Sequence, residues 1–164
     1  HALRLLAIHL PDPALNEDPV VRSELVLAAL LCGQGTDITG AGISIALGHA
    51  IGARFNSDNG VMNAILLPHA LRFNADAAGP GLLKVATAFG LPRAEDGALV
   101  SQIVNAVESV VGKLGIPRRL RDAGVPREAL AEIATSVMGD WFLRGSARPV
   151  RSVSELQQVL EEAW

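Results

Sequence analysis

The chain has 164 residues, enough for one domain with a substantial core. Hydrophobic residues make up 49% and charged residues 19%, and the net charge of −3 excludes the basic surface typical of proteins that bind nucleic acid or anionic membranes. No apolar run approaches the roughly eighteen residues of a membrane-spanning helix, so we expect a cytoplasmic protein with neither nucleic acid nor membrane as a partner. The single cysteine, Cys32, excludes an internal disulfide, and its place after an apolar run predicts a buried thiol.

Helical periodicity begins at the first residues of the chain. His1 leads directly into apolar residues at helical spacing without a capping signal, which we interpret as a fragment or a piece of a split protein rather than ordinary N-terminal processing. A second helix is predicted from Pro19 to the break at Gly33-Gln34-Gly35. A third is predicted over residues 38–53, although its glycines each cost ~1 kcal/mol relative to alanine. Such glycines are tolerated where a neighbouring helix or a ligand approaches closely.

The rest of the chain continues the helical pattern. Helices are predicted over residues 61–74, 79–89, 95–114 and 126–139, with a connecting turn at 116–122. Apolar residues at 100, 103, 104, 107, 110 and 111 share one helix face. Ser152 and Glu155 have capping-box spacing for a last helix that ends near Trp164. No segment alternates in the manner of a strand, so the sequence predicts an all-α fold of seven or eight helices.

The most informative segment lies between Gly42 and His69. It reads Gly42-Ile43-Ser44-Ile45-Ala46-Leu47-Gly48-His49, then Ser57-Asp58-Asn59-Gly60, Asn63-Ala64 and Leu67-Pro68-His69. This pattern resembles the metal-site segment of iron-dependent (group III) alcohol dehydrogenases and their maleylacetate reductase relatives. The likeness extends over nearly the whole chain. It implies that residues 1–164 form the single helical C-terminal domain of such dehydroquinate synthase-like proteins, truncated at the N-terminus and without the N-terminal α/β nucleotide-binding domain.

The resemblance also implies that the metal site is degenerate. In that family the first and last histidines of the segment bind the metal, and here those positions hold Ile45 and Asn59. An isoleucine has no donor atom, and an asparagine offers one carbonyl oxygen that suits hard cations better than iron or zinc. The family's other two ligands, an aspartate and a histidine, come from sequence upstream of this chain. We therefore predict that the metal is lost.

His49 matches the family's additional, non-ligand histidine in the active-site cleft. The functional interpretation is a catalytic polar or proton-relay residue, and the alternative is a helix histidine satisfied by a neighbouring carbonyl. The resemblance favours the cleft, with Ile45, Asn59 and Asn63 as substrate-binding neighbours. Asn63 and Asn74 either hydrogen-bond across helices around this cleft or are simply exposed.

Three functions remain open. The first is the C-terminal domain of a dehydrogenase-like protein, whose ancestral reaction is NAD(P)-linked alcohol or carbonyl oxidoreduction. The second is a repurposed metal-free pocket for elimination, isomerisation or cyclisation, and the third is a non-catalytic ligand-binding or assembly domain. Since no glycine-rich phosphate-binding turn occurs, NAD(P) is expected only with the missing N-terminal domain, and this chain alone is not expected to be a dehydrogenase. The expected partners are that N-terminal part or a complementing chain, a small-molecule ligand and further copies in a homo-oligomer.

Overall fold

Helices are the regular elements of the part of the chain that the structure describes. The structure is a computed structural model that describes residues 1–12, 17–92 and 96–164, and these ranges contain no strand, which confirms the all-α class. Within them, no single helix is both long and apolar enough to cross a membrane, although the helices Pro19–Thr39 and Ile43–Phe55 have sufficient length and apolar composition when taken together. The helices are α1 (Ala2–His9), α2 (Pro19–Thr39), α3 (Ile43–Phe55), α4 (Asn59–Ala88), α5 (Asp96–Gly112), α6 (Leu130–Val137) and α7 (Val153–Ala163).

The predicted break in α2 is wrong. The helix continues through Gly33 and Gly35 to Thr39, because neither glycine has a conformation that would end it and each costs only helix propensity. The chain leaves the helix at Gly40, whose φ of 76° lies in the left-handed region that ends helices. As a result, α3 begins at Ile43 and not near residue 38.

The segments predicted as two helices at residues 61–74 and 79–89 form one bent helix, α4. Gly79 departs from helical geometry within it, with φ 20° and ψ −103°. The next residue is Pro80, which lacks an N–H and disfavours the helical conformation of the residue before it. The break predicted between the two segments is therefore present, as a kink at Gly79. The predicted helix at 95–114 is present as α5, with residue 95 outside the described residues.

One compact unit contains residues His1–Thr39 and Ala78–Gly115. Ile103, Val104 and Val107 are buried, which confirms the apolar face predicted for α5. Cys32, in contrast, is exposed, so the predicted buried thiol is wrong. The large apolar residues Val26, Leu27 and Leu30 before it are exposed as well, so the described residues of this unit leave that part of α2 without apolar cover.

The other compact unit contains residues Gly40–Ala77 and Ile116–Trp164. The predicted cap of α7 is confirmed, because the Ser152 hydroxyl accepts a hydrogen bond of 3.4 Å from the Glu155 N–H. The Trp164 indole N–H donates to the Val125 carbonyl at 2.8 Å and thereby connects the end of α7 to the segment that precedes α6. The core of this unit joins α3, α4, α6 and α7, and its largest buried side chains are Ile43, Leu47, Ile51, Met62, Leu66, Leu120, Leu130, Ile133, Leu156 and Leu160.

Candidate functional site

Helix α3 has two sides of different character. Residues separated by three, four or seven positions share one side of a helix, which places Ile45, Gly48, His49 and Gly52 together. Ile45 is half-buried and His49 is exposed. The opposite side faces the core through the fully buried residues Ile43, Ala46, Leu47 and Ile51. Ile45 and His49 therefore lie on the side of α3 that faces away from these core residues, whereas Gly48 and Gly52 on the same side are buried.

Two glycines bring the predicted asparagines onto α3. A Cβ atom at Gly48 would overlap the Asn63 Oδ1 atom and lie 3.2 Å from its Cγ. A Cβ atom at Gly52 would likewise overlap the Asn59 Oδ1 atom and lie 3.3 Å from its Cγ. Only glycine leaves room for these amides, since real Cβ atoms do not approach so closely. The structure thus sets Asn59 and Asn63 against the side of α3 that carries His49.

The two asparagines differ in their surroundings. Asn59 is the exposed first residue of α4, just after the Asp58 side chain that accepts a hydrogen bond of 2.9 Å from the Val61 N–H. Asn63 is half-buried, and its Oδ1 atom is buried without a hydrogen-bond partner among the described residues. The alternative of a simply exposed Asn63 is therefore wrong. A buried, unsatisfied carbonyl oxygen costs about 1–3 kcal/mol, and such an atom commonly marks the place of a water molecule or a ligand.

His49 has an aromatic neighbour. Its ring packs edge-on against Phe142, with 5.3 Å between the ring centroids and 72° between the planes. Within the described part of the chain, no neighbouring carbonyl or other group hydrogen-bonds the imidazole, so the structure offers no partner for the alternative of an internally satisfied helix histidine. The side chain is exposed, and its ring nitrogens make no hydrogen bond to the described residues.

The aromatic neighbour of His49 was not identified from the sequence. Phe142 belongs to a 3₁₀ turn, Trp141–Gly145, which begins where the Asp140 side chain accepts a hydrogen bond of 2.9 Å from the Phe142 N–H. Trp141 is 62% exposed and stacks on Phe142 with 4.2 Å between centroids. A usable signal existed: the chain has four phenylalanines, two tryptophans and no tyrosine, and two of these rings are adjacent after an aspartate.

The 3₁₀ turn is fixed to the start of α3. Gly145 lies so close to the backbone of Ala41 that a Cβ atom there would overlap the Ala41 carbonyl oxygen. The next residue, Ser146, uses its hydroxyl oxygen to accept a hydrogen bond of 3.1 Å from the Ile43 N–H. This contact satisfies one of the free N–H groups at the helix start, since α3 receives no cap from its own preceding residue, Gly42.

The residues of this site do not fit a transition-metal centre. The Ile45 side chain is a hydrocarbon, and the Asn59 amide lies against Gly52. In the described ranges, no group of three or more histidine, cysteine, aspartate or glutamate side chains is arranged to hold a metal ion. Iron and zinc sites in proteins require several such nitrogen, sulfur or carboxylate donors.

Asn74 and Arg148 belong to a separate structural contact. The Asn74 Oδ1 atom accepts a hydrogen bond of 2.9 Å from the Arg148 N–H, and its Nδ2 atom donates to the Ala70 carbonyl at 2.8 Å. Asn74 is therefore neither simply exposed nor bonded across helices around the cleft: its partner Arg148 lies outside the helices, and no described contact links Asn74 to His49. The Arg148 guanidinium lies 4.2 Å above the Phe73 ring and donates to Glu155 at 2.6 Å.

A cavity of about 240 Å³ lies beside this contact. His69 lines it, with its Nδ1 atom 3.9 Å from the Glu162 Oε2 atom. Hydrogen bonds to the Glu155 carboxylate, first from the Arg151 backbone N–H and then from Arg148, lower the pKa of that carboxyl. The remaining lining residues are Arg72, Phe73, Gln158 and Val159.

The helical fold and the α3–α4 segment define a class of protein. The model of the Fe-containing alcohol dehydrogenase family, C-terminal, matches residues 1–164, and the chain therefore belongs to this family. This confirms the resemblance stated for the Gly42–His69 segment, and the Fe-containing alcohol dehydrogenases are a family of oxidoreductases.

Individual relatives agree with that assignment. Lactaldehyde reductase of Escherichia coli is 32% identical over 170 residues, which cover 99% of this chain and 44% of that protein. Maleylacetate reductase of Burkholderia cepacia is 29% identical over 120 residues, covering 73% of this chain and 32% of that protein. A solved structure of 1,3-propanediol oxidoreductase matches with a TM-score of 0.93 and 26% identity, covering 99% of this chain and 43% of that one. The chain thus spans less than half the length of these relatives.

Proposed function

We propose that this chain is the C-terminal domain of a protein descended from NAD(P)-linked alcohol or carbonyl oxidoreductases, with a degenerate metal site and His49 as its polar catalytic group. Membership of the family supports the reaction class. The position of His49 supports its role. The imidazole is exposed, no described group hydrogen-bonds its nitrogens, and it lies on the side of α3 that faces away from the core. Ile45, one turn away on that side, supports the loss of the metal.

In this proposal His49 interacts with the oxygen of a small alcohol or carbonyl compound. An imidazole near neutral pH can donate a hydrogen bond to that oxygen or take up its proton. General acid–base catalysis requires these two functions. Asn63 offers a second polar atom nearby, and Ile45 with Phe142 supplies apolar contact surface. NAD(P), when bound by the N-terminal part of the protein, supplies hydride transfer.

The direct test is an assay of the protein together with its N-terminal part. We expect reduction of simple aldehydes by NADH or NADPH that neither a chelator nor added Fe²⁺ or Zn²⁺ changes. His49→Gln should lower kcat/KM by about 10²-fold or more, in the range for loss of a general acid–base group. The matched control is His9→Gln, which removes a histidine paired with Glu24 in the other unit. Turnover that requires added iron would contradict the proposed loss of the metal.

A second test introduces a metal donor at Ile45, in a designed pair with His49 that differs from the family's own ligand set. Ile45→His places an imidazole four residues before His49 on the same side of α3, the spacing at which two helix histidines bind one Zn²⁺. We expect calorimetry to detect one Zn²⁺ per chain in this variant and none at this place in the unaltered chain. Ser44→His is the control, because position 44 lies five residues from His49 and points to another side of the helix. Equal Zn²⁺ binding by the unaltered chain and by Ile45→His would show that Ile45 had not abolished the site.

One observation favours a second candidate function. Ile45 makes the former ligand side more apolar, as pockets for small organic molecules generally are. The domain would then serve as a metal-free pocket that catalyses elimination, isomerisation or cyclisation, or that only binds its ligand. Ligand binding at His49 without any dependence on NAD(P), with no aldehyde reduction, would favour this candidate over the first. A cytoplasmic location and a homo-oligomer stay predictions under either candidate.

A further inference from the structure

The contact between His49 and Phe142 has the geometry of a specific aromatic pair. Edge-to-face pairs prefer centroid separations of roughly 4.5–7 Å, and the observed values are 5.3 Å and 72°. Among the described residues His49 has no hydrogen bond that would fix its ring. The Phe142 ring is therefore the described group that restricts the rotation of the imidazole.

Phe142 is itself held on several sides. The Asp140 side chain accepts a hydrogen bond from its N–H at 2.9 Å, and Trp141 stacks on its ring at 4.2 Å. Its ring also packs against the buried core of the same unit. A ring so restrained can hold a more mobile neighbour, whereas the reverse would not be true.

The segment that carries Phe142 is anchored to the helix that carries His49. Gly145 packs against the Ala41 backbone, and the Ser146 hydroxyl accepts a hydrogen bond of 3.1 Å from the Ile43 N–H. Both contacts are made at the start of α3, six or more residues before His49. Because a helix is a stiff rod over that distance, anchoring the 3₁₀ turn at the helix start fixes the spacing of the two rings.

We propose that Phe142 is the positioning residue of the His49 site: it holds the imidazole in one rotamer, so that the ring nitrogens meet a ligand from a fixed direction. This inference rests on the role proposed for His49. The consequence for specificity follows from two apolar residues, because Phe142 packs on the imidazole and Ile45 lies one turn before it on the same side of α3. The site suits an uncharged small molecule with an apolar body and one oxygen that reaches the ring nitrogens.

The test is NMR spectroscopy of the chain with labelled histidine. In the unaltered chain, we expect the ring protons of His49 to be displaced by the Phe142 ring current, and the side-chain couplings to report one dominant rotamer. Phe142→Leu should abolish the displacement and lower the ratio of the held rotamer to the others about five-fold, which is the scale of an aromatic pair contact. Phe142→Tyr, which keeps the ring, should restore both signals.

Two controls separate positioning from general damage. The resonances of His69, in the same unit, should stay unchanged in Phe142→Leu if the fold is intact. Trp141→Leu keeps the Phe142 ring and removes only the ring stacked on it, so it should change the His49 rotamer less than Phe142→Leu does. If Phe142→Leu fails to fold, the unaltered chain still tests the proposal. His49 ring protons with the chemical shifts of a free, exposed imidazole would overturn it. Unchanged couplings in a folded Phe142→Leu would overturn it too.

A probe ligand distinguishes this inference from the proposed function. Benzyl alcohol is uncharged, with an apolar body and one hydroxyl oxygen, and we expect its titration to shift the His49 resonances. Suppose that benzyl alcohol leaves the His49 resonances unchanged, but the ring-current displacement is present in the unaltered chain and lost in Phe142→Leu. The positioning role of Phe142 then stands, and the ligand-binding role of His49 fails. If His49 responds to the probe but its rotamer does not depend on Phe142, the reverse holds.

Discussion

Gly145→Ala is predicted to destabilise the unit that contains it, because the added Cβ atom would meet backbone. A Cβ atom at this position would overlap the carbonyl oxygen of Ala41 and lie 2.7 Å from its carbonyl carbon. The obstacle is backbone at the start of α3, and no side-chain rotation relieves it. The 3₁₀ turn must therefore move away from α3 and give up the hydrogen bond between the Ser146 hydroxyl and the Ile43 N–H.

The magnitude follows from those two effects. Overpacking of a well-packed site costs about 1–3 kcal/mol, and the lost hydrogen bond adds about 1 kcal/mol. Together they predict that Gly145→Ala lowers the free energy of unfolding by about 2–4 kcal/mol. Because Phe142 lies on the turn that moves, the variant should also lose the ring contact with His49.

Urea denaturation followed by tryptophan fluorescence measures this effect in the relevant unit, since both Trp141 and Trp164 lie in it. The matched control is Gly139→Ala in the same unit, where a Cβ atom would meet no heavy atom within 4 Å. We expect the control to change the free energy of unfolding by less than about 0.5 kcal/mol. If Gly145→Ala behaved like Gly139→Ala, the reasoning from close backbone contact would be refuted.

The remaining predictions concern the α3–α4 contact and the cavity. Gly48→Ala should bring little of the ~1 kcal/mol gain in helix propensity, because the added Cβ atom displaces Asn63. In an Asn63→Ala background the full gain should appear. Thermal unfolding measures both effects, and equal effects in the two backgrounds would contradict the steric contact. Glu155→Gln should destabilise the chain at neutral pH. Since folding lowers the pKa of Glu155 below its ordinary value of 4.5, the unfolded state binds more protons, and this stabilisation is present above pH 4.5 and lost as the pH falls through the folded pKa. Urea titrations of both proteins should therefore converge in acid, and a difference that stayed constant with pH would count against the charge of Glu155 as its cause.

Local signals predicted the elements well where the local conformation decides alone. The Ser152 cap, the apolar face of α5 and the break near Gly79 all reflect short-range hydrogen bonding, periodicity or the lost N–H of Pro80. The predictions failed where a residue's surroundings were needed. Gly33 and Gly35 are residues that often end a helix, yet α2 continues through them. Cys32 follows an apolar run, yet it is exposed.

The same division applies to the candidate site. The sequence by itself determined the all-α class, the family and the positions of Ile45, His49, Asn59 and Asn63, because residue types at fixed spacing along two helices are written in the chain. Only the tertiary structure decided that Phe142 touches His49, and that glycines admit the two asparagines to α3. The physical reason is that these contacts join segments up to 93 positions apart in the numbering (residues 49 and 142). Helical periodicity fixes which residues share a side of one helix, but only close packing fixes what that side meets.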